Sequence, residues 1–163
     1  MKATVSSSLT SWIRFADRTA RTLVTLLMLV SLSVVFGCSE IPKDADGTVE
    51  RIQRSGEFHA TVVSGTENPA PGMAVIRQLA TDWSAKIDVS HKPSSLALRD
   101  LEASKTDIVI GEFGRNGPEA QEASLSKAIG VPEPKDGKIP ALRFARKKGE
   151  NKLIHVTDLM VIE

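Results

Sequence analysis

The sequence is poor in cysteine, aromatic residues and histidine, and each shortage excludes a kind of site. Cys38 is the only cysteine among the 163 residues, so no disulfide can form within the chain. Aromatic residues make up 4% of the chain, with no tyrosine, although many small-molecule sites are lined by aromatic rings. His59, His91 and His155 have neither HxxH nor HxxxH spacing, so we expect no metal site.

Patterns typical of catalysis and of nucleic-acid binding are also missing. The spacing of Gly111, Gly114 and Gly117 superficially resembles that of a dinucleotide-binding loop. However, the sequence contains no GxGxxG motif and no phosphate-binding lysine motif. No nucleophile elbow occurs. The formal net charge is +1, without a basic stripe or interleaved basic and aromatic residues, so no nucleic acid is expected as a partner. We therefore predict that the protein is not an enzyme and has no cofactor.

What the sequence does contain is an apolar segment that ends directly before Cys38. Residues 23–36 are almost entirely apolar, and four basic residues precede them: Lys2, Arg14, Arg18 and Arg21. A basic start followed by a short apolar core is typical of an export signal. The apolar run is shorter than the roughly 20 residues that a membrane-spanning helix needs.

Residues 35–38, Val-Phe-Gly-Cys, resemble the lipobox of bacterial lipoproteins. This resemblance implies cleavage before Cys38, a diacylglycerol on its thiol and anchoring on the periplasmic side of the cell envelope. Ser39 favours the outer membrane over the inner one if the source is Gram-negative. We therefore expect a signal peptide over 1–37, a lipidated tether over 38–47 and one domain over 48–163. Two alternatives stay open. The segment can be an uncleaved membrane anchor, or it can be a cleavable signal followed by a cysteine that carries no lipid.

The rest of the chain alternates predicted strands and helices. Periodicity and turn signals predict helices over 48–54, 71–84, 94–103, 118–129 and 150–161. They predict strands over 58–63, 86–89, 106–111 and 141–145, of which 106–111 is the most apolar. Alternation of this kind predicts an α/β domain with a mostly parallel sheet flanked by helices.

Several stretches together resemble the first lobe of type 2 periplasmic solute-binding proteins, of the family 3 kind that serves amino-acid ABC importers. They are residues 47–52 with 56–58, Asn68-Pro69, LRDLEASKTDIVIG at 98–111, and 144–159. The resemblance implies an amino acid or similar small polar solute as ligand. It also implies an ABC transporter permease or another envelope protein as partner, with the membrane reached through the lipid on Cys38.

The sequence departs from that family where a second lobe is normally built. Between Ala128 and Ala141 there is only one proline-rich loop, so the chain resembles a truncated, single-lobe member. The family often places an arginine after the glycine-ended strand to hold an amino-acid carboxylate. Arg115 lies in this region but is not clearly in that register.

Ligands of open parallel sheets bind beyond the carboxyl ends of the strands. Here that edge is predicted to carry residues 64–69 and 111–117, and Ser126 falls where the family often has a serine or threonine. The candidate ligand-binding residues are therefore Glu67, Asn68, Gly111, Glu112, Arg115 and Ser126.

Three other interpretations stay open. The glycines can simply form a turn with a solvated Arg115, and the protein can be a structural or regulatory lipoprotein that kept the fold without a ligand. Glu67 and Glu112 could also serve as the acid–base pair of a small dehydratase-like enzyme.

Overall fold

Strands and helices alternate along residues 43–162, the part of the chain that the computed structural model describes. The helices are α1 (Thr48–Ser55), α2 (Ala70–Asp82), α3 (Ser94–Glu102), α4 (Glu119–Glu122) and α5 (Asn151–Ile162). The strands are β1 (Glu57–Val63), β2 (Lys86–Lys92), β3 (Ile108–Gly114), β4 (Ser124–Leu125) and β5 (Pro140–Arg146). The predicted signal peptide and Cys38 lie outside the described residues. Within residues 43–162, no helix has the length and apolarity to cross a bilayer.

The five strands form one sheet in the order β2-β1-β3-β5-β4. β1 runs parallel to both β2 and β3, whereas β5 runs antiparallel to β3 and to β4. The prediction of a mostly parallel sheet flanked by helices is therefore confirmed, with β5 as the one reversed strand.

Helices cover both faces of the sheet because its strands carry apolar side chains on both sides. On one face, Ile76 and Leu79 of α2 pack against Phe58, Ile110 and Phe144. On the other face, residues of α3 pack against apolar residues of β3 and β5: Ala97, Leu98, Leu101, Val109, Phe113 and Ala145. A strand that is buried on both faces appears in the sequence as a continuous run of apolar residues. This is why the strand over 106–111 could be predicted.

The helix predicted over 118–129 is wrong. Only Glu119–Glu122 is helical; Ser124–Leu125 forms β4, and the chain is irregular from there to β5. Beyond β4, Ser126 N donates to Phe144 O at 2.9 Å and Ile129 N donates to Leu142 O at 2.8 Å. Because these backbone groups pair with β5, they are not available for a helix, and tertiary pairing overrides the local helical pattern.

Residues 44–47, which lie inside the predicted tether, are held against the domain. Asp44 is 7% exposed and forms a β-bridge with Glu150, which is 1% exposed. Ala45 N donates to Gly149 O at 3.0 Å. Residues 44–47 are therefore packed as part of the domain.

Candidate functional site

The order of the parallel strands places a crevice between β1 and β3. From β1 the chain crosses by α2 to β2 on one side, and from β2 it crosses by α3 to β3 on the other side of β1. The chain leaving β1 enters α2 on one face of the sheet, whereas the chain leaving β3 reaches Ala123, which packs with α3 on the opposite face, so the loops after β1 and β3 diverge. Ligands of α/β sheets bind at this kind of switch point, outside the carboxyl ends of the strands.

A cavity of about 390 Å³ lies at this edge of the sheet. It is formed by the loop after β1, the end of β3, the beginning of β5 and the loop between β4 and β5. Its lining residues are Glu67, Asn68, Pro71, Glu112, Ile129, Gly130, Val131, Pro134, Pro140, Ala141 and Leu142. Three of the predicted ligand residues, Glu67, Asn68 and Glu112, are thus brought together, and we call this cavity the cleft.

One hydrogen bond links the two sides of the cleft. Glu67 N, in the loop after β1, donates to Oε1 of Glu112 on β3 at 3.1 Å. Asn68 Oδ1 accepts from Ala70 N at 3.3 Å, so its side chain also fixes the start of α2. Glu67, Asn68 and Glu112 are nevertheless exposed, so their remaining polar groups can reach a ligand.

The charge of the cleft is negative. Glu67 and Glu112 each contribute a carboxylate, and no lysine, arginine or histidine is among the lining residues. Carboxylates bind guanidinium and ammonium groups through charge-assisted hydrogen bonds. The cleft therefore suits a cation with a short apolar part, which Pro71, Val131 and Leu142 can contact.

Gly111 lies below the cleft and contributes to packing. A Cβ atom at this position would lie 2.7 Å from the Phe113 ring and 2.8 Å from Val63. Only glycine fits between these two side chains without moving them.

We expect Gly111→Ala to lower the free energy of unfolding by about 1–3 kcal/mol, because it overpacks the core. Urea denaturation followed by circular dichroism measures this loss. Arg77→Ala, on the exposed face of α2, is the control and should change stability by less than about 0.5 kcal/mol. An unchanged midpoint for Gly111→Ala would show that Phe113 and Val63 move apart freely.

The other two predicted ligand residues lie outside the cleft. Arg115 follows β3 and lines a separate cavity with Lys148 and Ile154. Ser126 is buried, and its hydroxyl accepts from Phe144 N at 3.0 Å and donates to Lys127 O at 2.7 Å. Its hydroxyl is therefore engaged in holding the chain against β5.

Sequence reasoning missed a buried arginine that fixes the loop beside the cleft. Arg143 on β5 is 0% exposed. Its guanidinium donates to Phe113 O at 3.1 Å, to Ser126 O at 2.8 Å and to both carboxylate oxygens of Glu133, at 3.1 and 2.5 Å. Glu133 also accepts from Ala128 N at 2.8 Å. We call the Arg143–Glu133 pair the loop clamp; the one signal for it was an arginine inside an apolar strand.

Because of the loop clamp, the free energy of unfolding depends on pH in the acidic range. The hydrogen bond from Arg143 is the main cause that lowers the pKa of Glu133 below its usual range; the Ala128 amide and the charges of Arg143 and Arg115 add to it. A carboxyl with a lowered pKa stabilises the fold above its unfolded-state pKa, and this contribution disappears as the pH falls through the folded-state pKa.

We therefore expect Glu133→Gln to be less stable than the wild type at pH 7, with the difference shrinking steadily below about pH 4.5. Denaturant midpoints of both proteins between pH 7 and pH 3 measure it. A stability difference that does not depend on pH would contradict the ionic role of Glu133.

Within the described part of the chain, no group of three or more histidine, cysteine, aspartate and glutamate side chains is placed to hold a metal ion. No protein-family model matches the sequence, and no curated protein is similar to it.

Solved structures with the same architecture do exist. The arginine-bound form of domain 1 from TmArgBP superposes with a TM-score of 0.53 at 12% identity, covering 69% of this chain and 96% of that one. A single-site mutant of the same arginine-bound domain gives a TM-score of 0.56 at 11% identity, covering 70% and 95%. An ancestral cationic amino acid solute binding protein gives 0.53 at 11% identity, covering 71% and 92%.

The chain has the fold of a solute-binding lobe. At these identities the likeness shows the fold alone, and the coverage shows that nearly the whole of each neighbour is matched. Two of the three are described as arginine-bound domains and the third as a solute-binding protein. In this chain β5 comes back beside β3, antiparallel to it, after the loop that follows β4.

Proposed function

We propose that the protein is a membrane-anchored, single-lobe substrate-binding lipoprotein for a cationic amino acid or a similar small cation. The observation that carries the proposal is the cleft at the switch point, with two carboxylates and no basic residue in its lining. Two of the neighbours are described as arginine-bound and the third as binding cationic amino acids. One of them binds as an isolated domain 1, so a single lobe of this fold is a sufficient binding unit in that protein.

In this proposal Glu112 and Glu67 bind the guanidinium or ammonium group of the ligand. Glu112 already accepts one hydrogen bond from Glu67 N, which orients its carboxylate and leaves its second oxygen for the ligand. A single lobe covers one side of a ligand, whereas two lobes that close around it bury it on both sides. We therefore expect binding that is weaker than in a two-lobed protein.

The lipid anchor on Cys38 belongs to the same proposal. It rests on the lipobox-like residues 35–38, and it would keep a weak binder close to an envelope partner such as an ABC transporter permease. Mass spectrometry of the protein purified from bacterial membranes tests it: a Cys38 carrying diacylglycerol at the new N-terminus supports the anchor. An unmodified Cys38 in a chain that begins before residue 38 would contradict it.

Thermal unfolding of the full chain in detergent, with and without millimolar L-arginine or L-lysine, tests the binding. A ligand at 100 times its dissociation constant adds about 2.7 kcal/mol to stability, which raises the melting temperature by several degrees. L-Glutamate and L-leucine serve as ligand controls and should give no comparable shift.

Glu67→Gln and Glu112→Gln should each weaken arginine binding about 10- to 100-fold, since a hydrogen bond to a charged group contributes about 1.5–3 kcal/mol. Glu102→Gln, on the exposed surface of α3, removes the same charge away from the cleft and should bind as the wild type does. An absence of any shift with millimolar arginine and lysine would overturn the proposed function.

A partner-binding lobe without a solute is the second candidate. Val131 and Ile139, in the loop between β4 and β5, are 54% and 53% exposed, and Val131 lines the cleft. Exposed aliphatic residues at the mouth of a cavity are typical of protein contacts. Loss of crosslinking to an envelope protein on Val131→Ser, together with an unchanged melting temperature in all amino acids, would favour this candidate.

A further inference from the structure

A second cavity, of about 410 Å³, lies away from the cleft and has the opposite charge. Two of its lining residues are basic, Arg115 from the segment after β3 and Lys148 from the segment after β5, and none is acidic. The rest of its lining comes mainly from α4, β4 and the start of α5. We call it the basic cavity.

The positive charges of the two basic residues are available to bind a ligand. Arg115 forms no ion pair within residues 43–162, and Lys148 Nζ donates to a backbone carbonyl, that of Gln121, at 2.6 Å. The neighbouring lysines differ, because Lys147 is paired with Asp46 and Lys152 with Glu50. Within residues 43–162, neither Arg115 nor Lys148 therefore has a carboxylate within ion-pair distance, although the charge of Arg115 contributes to the lowered pKa of Glu133.

A third positive group lies directly behind the cavity wall. Arg146 on β5 is 0% exposed, and its Nη2 is buried with no hydrogen-bond partner among residues 43–162. Its Nε donates to Ser124 O at 3.4 Å and its Nη1 to Ile154 O at 3.1 Å. Both acceptor residues line the basic cavity. Because Arg146 donates to the carbonyls of two residues that line the cavity, its guanidinium lies next to the cavity wall.

The charge of Arg146 is only partly compensated. Among residues 43–162, Asp158 is its one ion-pair partner, and that side chain is 43% exposed. Burial lowers the pKa of Arg146, and the hydrogen bond and charge of Asp158 oppose this effect without cancelling it. A second negative charge near Ser124 and Ile154 would offset the remaining cost of burying this guanidinium.

We propose that the basic cavity binds a phosphate group through Arg115 and Lys148, with the buried Arg146 adding positive potential from behind. Arginine presents a planar fork of donors that matches phosphate oxygens, and lysine adds a point charge. The proposal stands on residues outside the cleft, so it does not depend on amino-acid binding.

Two sources can supply the phosphate: a free phosphate compound or the headgroup of a phospholipid. A phospholipid headgroup is relevant because the segment that precedes α1 joins the domain at the rim of this cavity. Gly149 lines the cavity, and its carbonyl accepts from Ala45 N at 3.0 Å. Ala45 is the seventh residue after Cys38, and a chain of seven residues spans at most about 25 Å. A lipid on Cys38 would therefore hold the basic cavity near the membrane surface.

The first arm of the test is a calorimetric titration of the full chain in detergent with inorganic phosphate at low ionic strength. We expect binding that the double variant Arg115→Gln, Lys148→Gln weakens at least 10-fold. The matched control is Lys135→Gln, Lys138→Gln, which removes the same charge from exposed positions in the loop before β5 and should bind as the wild type does. Glu112→Gln should also leave phosphate binding unchanged.

The second arm uses vesicles of phosphatidylcholine with and without phosphatidylglycerol, and hydrogen exchange of residues 146–154. Protection that requires phosphatidylglycerol and is lost in the Arg115, Lys148 double variant identifies a lipid headgroup as the source. Binding of inorganic phosphate without such protection identifies a free phosphate compound. The proposal is overturned if neither arm shows an effect, or if the control variant loses as much as the Arg115, Lys148 variant.

Discussion

Replacing Arg143 with methionine is expected to lower the free energy of unfolding by about 2–4 kcal/mol, because two backbone carbonyls lose their charged hydrogen-bond donor. Arg143 is fully buried and donates to two backbone carbonyls as well as to Glu133. Methionine fills a similar volume but donates no hydrogen bond. Phe113 O and Ser126 O then lose a donor, and Glu133 no longer holds the loop between β4 and β5 to the sheet.

Chemical denaturation of the full chain measures this loss, with Arg77→Met on the exposed surface of α2 as the matched control. Hydrogen exchange adds a positional readout, because residues 126–134 should exchange faster in Arg143→Met than residues of β1. A loss of less than about 1 kcal/mol would contradict the loop clamp as a main element of the fold. In that case the loop would have to be held by its apolar contacts alone.

Replacing Asp44 with alanine is expected to cost about 2–4 kcal/mol, since it removes the N-terminal cap of two helices at once. Asp44 Oδ2 accepts from Val49 N of α1 at 3.0 Å. Its Oδ1 accepts from Lys152 N at 2.6 Å and from Leu153 N at 3.0 Å, both in the first turn of α5. A negative charge at a helix N-terminus is also favourable to the helix dipole.

Glu150 completes the same junction, so the Asp44 variant should release the segment before α1. Glu150 Oε1 accepts from Asp46 N at 2.7 Å and Oε2 from Thr48 N at 3.1 Å. Asp44→Asn keeps one side-chain oxygen and should lose about half as much stability as Asp44→Ala. Asp82→Ala, exposed at the end of α2, is the control. Equal denaturation midpoints for Asp44→Ala and the wild type would contradict this double-capping role.

The sheet was predictable from the sequence because its signals are local. Ile108, Val109 and Ile110 are followed by a glycine, and the alternation of strands with helices of suitable length requires crossovers between parallel strands. The direction of the parallel strands alone predicts which edge of the sheet can bind a ligand. It also predicts that Glu67 and Glu112 lie at this edge.

The loop clamp and the basic cavity could not be predicted in the same way. Arg143 and Glu133 are ten residues apart, and from the sequence alone each is predicted to be a surface residue. Only the fold shows that they form an ion pair. Arg115 lies only three residues after Glu112, yet β3 continues to Gly114 because residues 111–114 pair with β5. This extra length of strand carries Arg115 away from the cleft, and no local pattern in the glycine-rich sequence reveals it.

The cleft and the basic cavity give this lobe two sites of opposite charge. The cleft, with Glu67 and Glu112, suits a cation, and the basic cavity, with Arg115 and Lys148, suits an anion. A single zwitterionic amino acid cannot be held by all four charged side chains, because they line separate cavities. Under the proposed function, recognition in the cleft would therefore rest on the positive end of the solute, which is why we expect arginine and lysine to bind better than glutamate.

The most direct test of the central claim is a titration of the isotope-labelled full chain in detergent with L-arginine, followed residue by residue by NMR. We predict that the amide signals of Glu67, Asn68 and Gly130 move at millimolar arginine, and that Glu112→Gln removes these movements. The amide of Glu67 is the most sensitive reporter, because it donates to the Glu112 carboxylate that the ligand would bind. Signals at the cleft that stay in place, or that move equally in Glu112→Gln, would contradict the account.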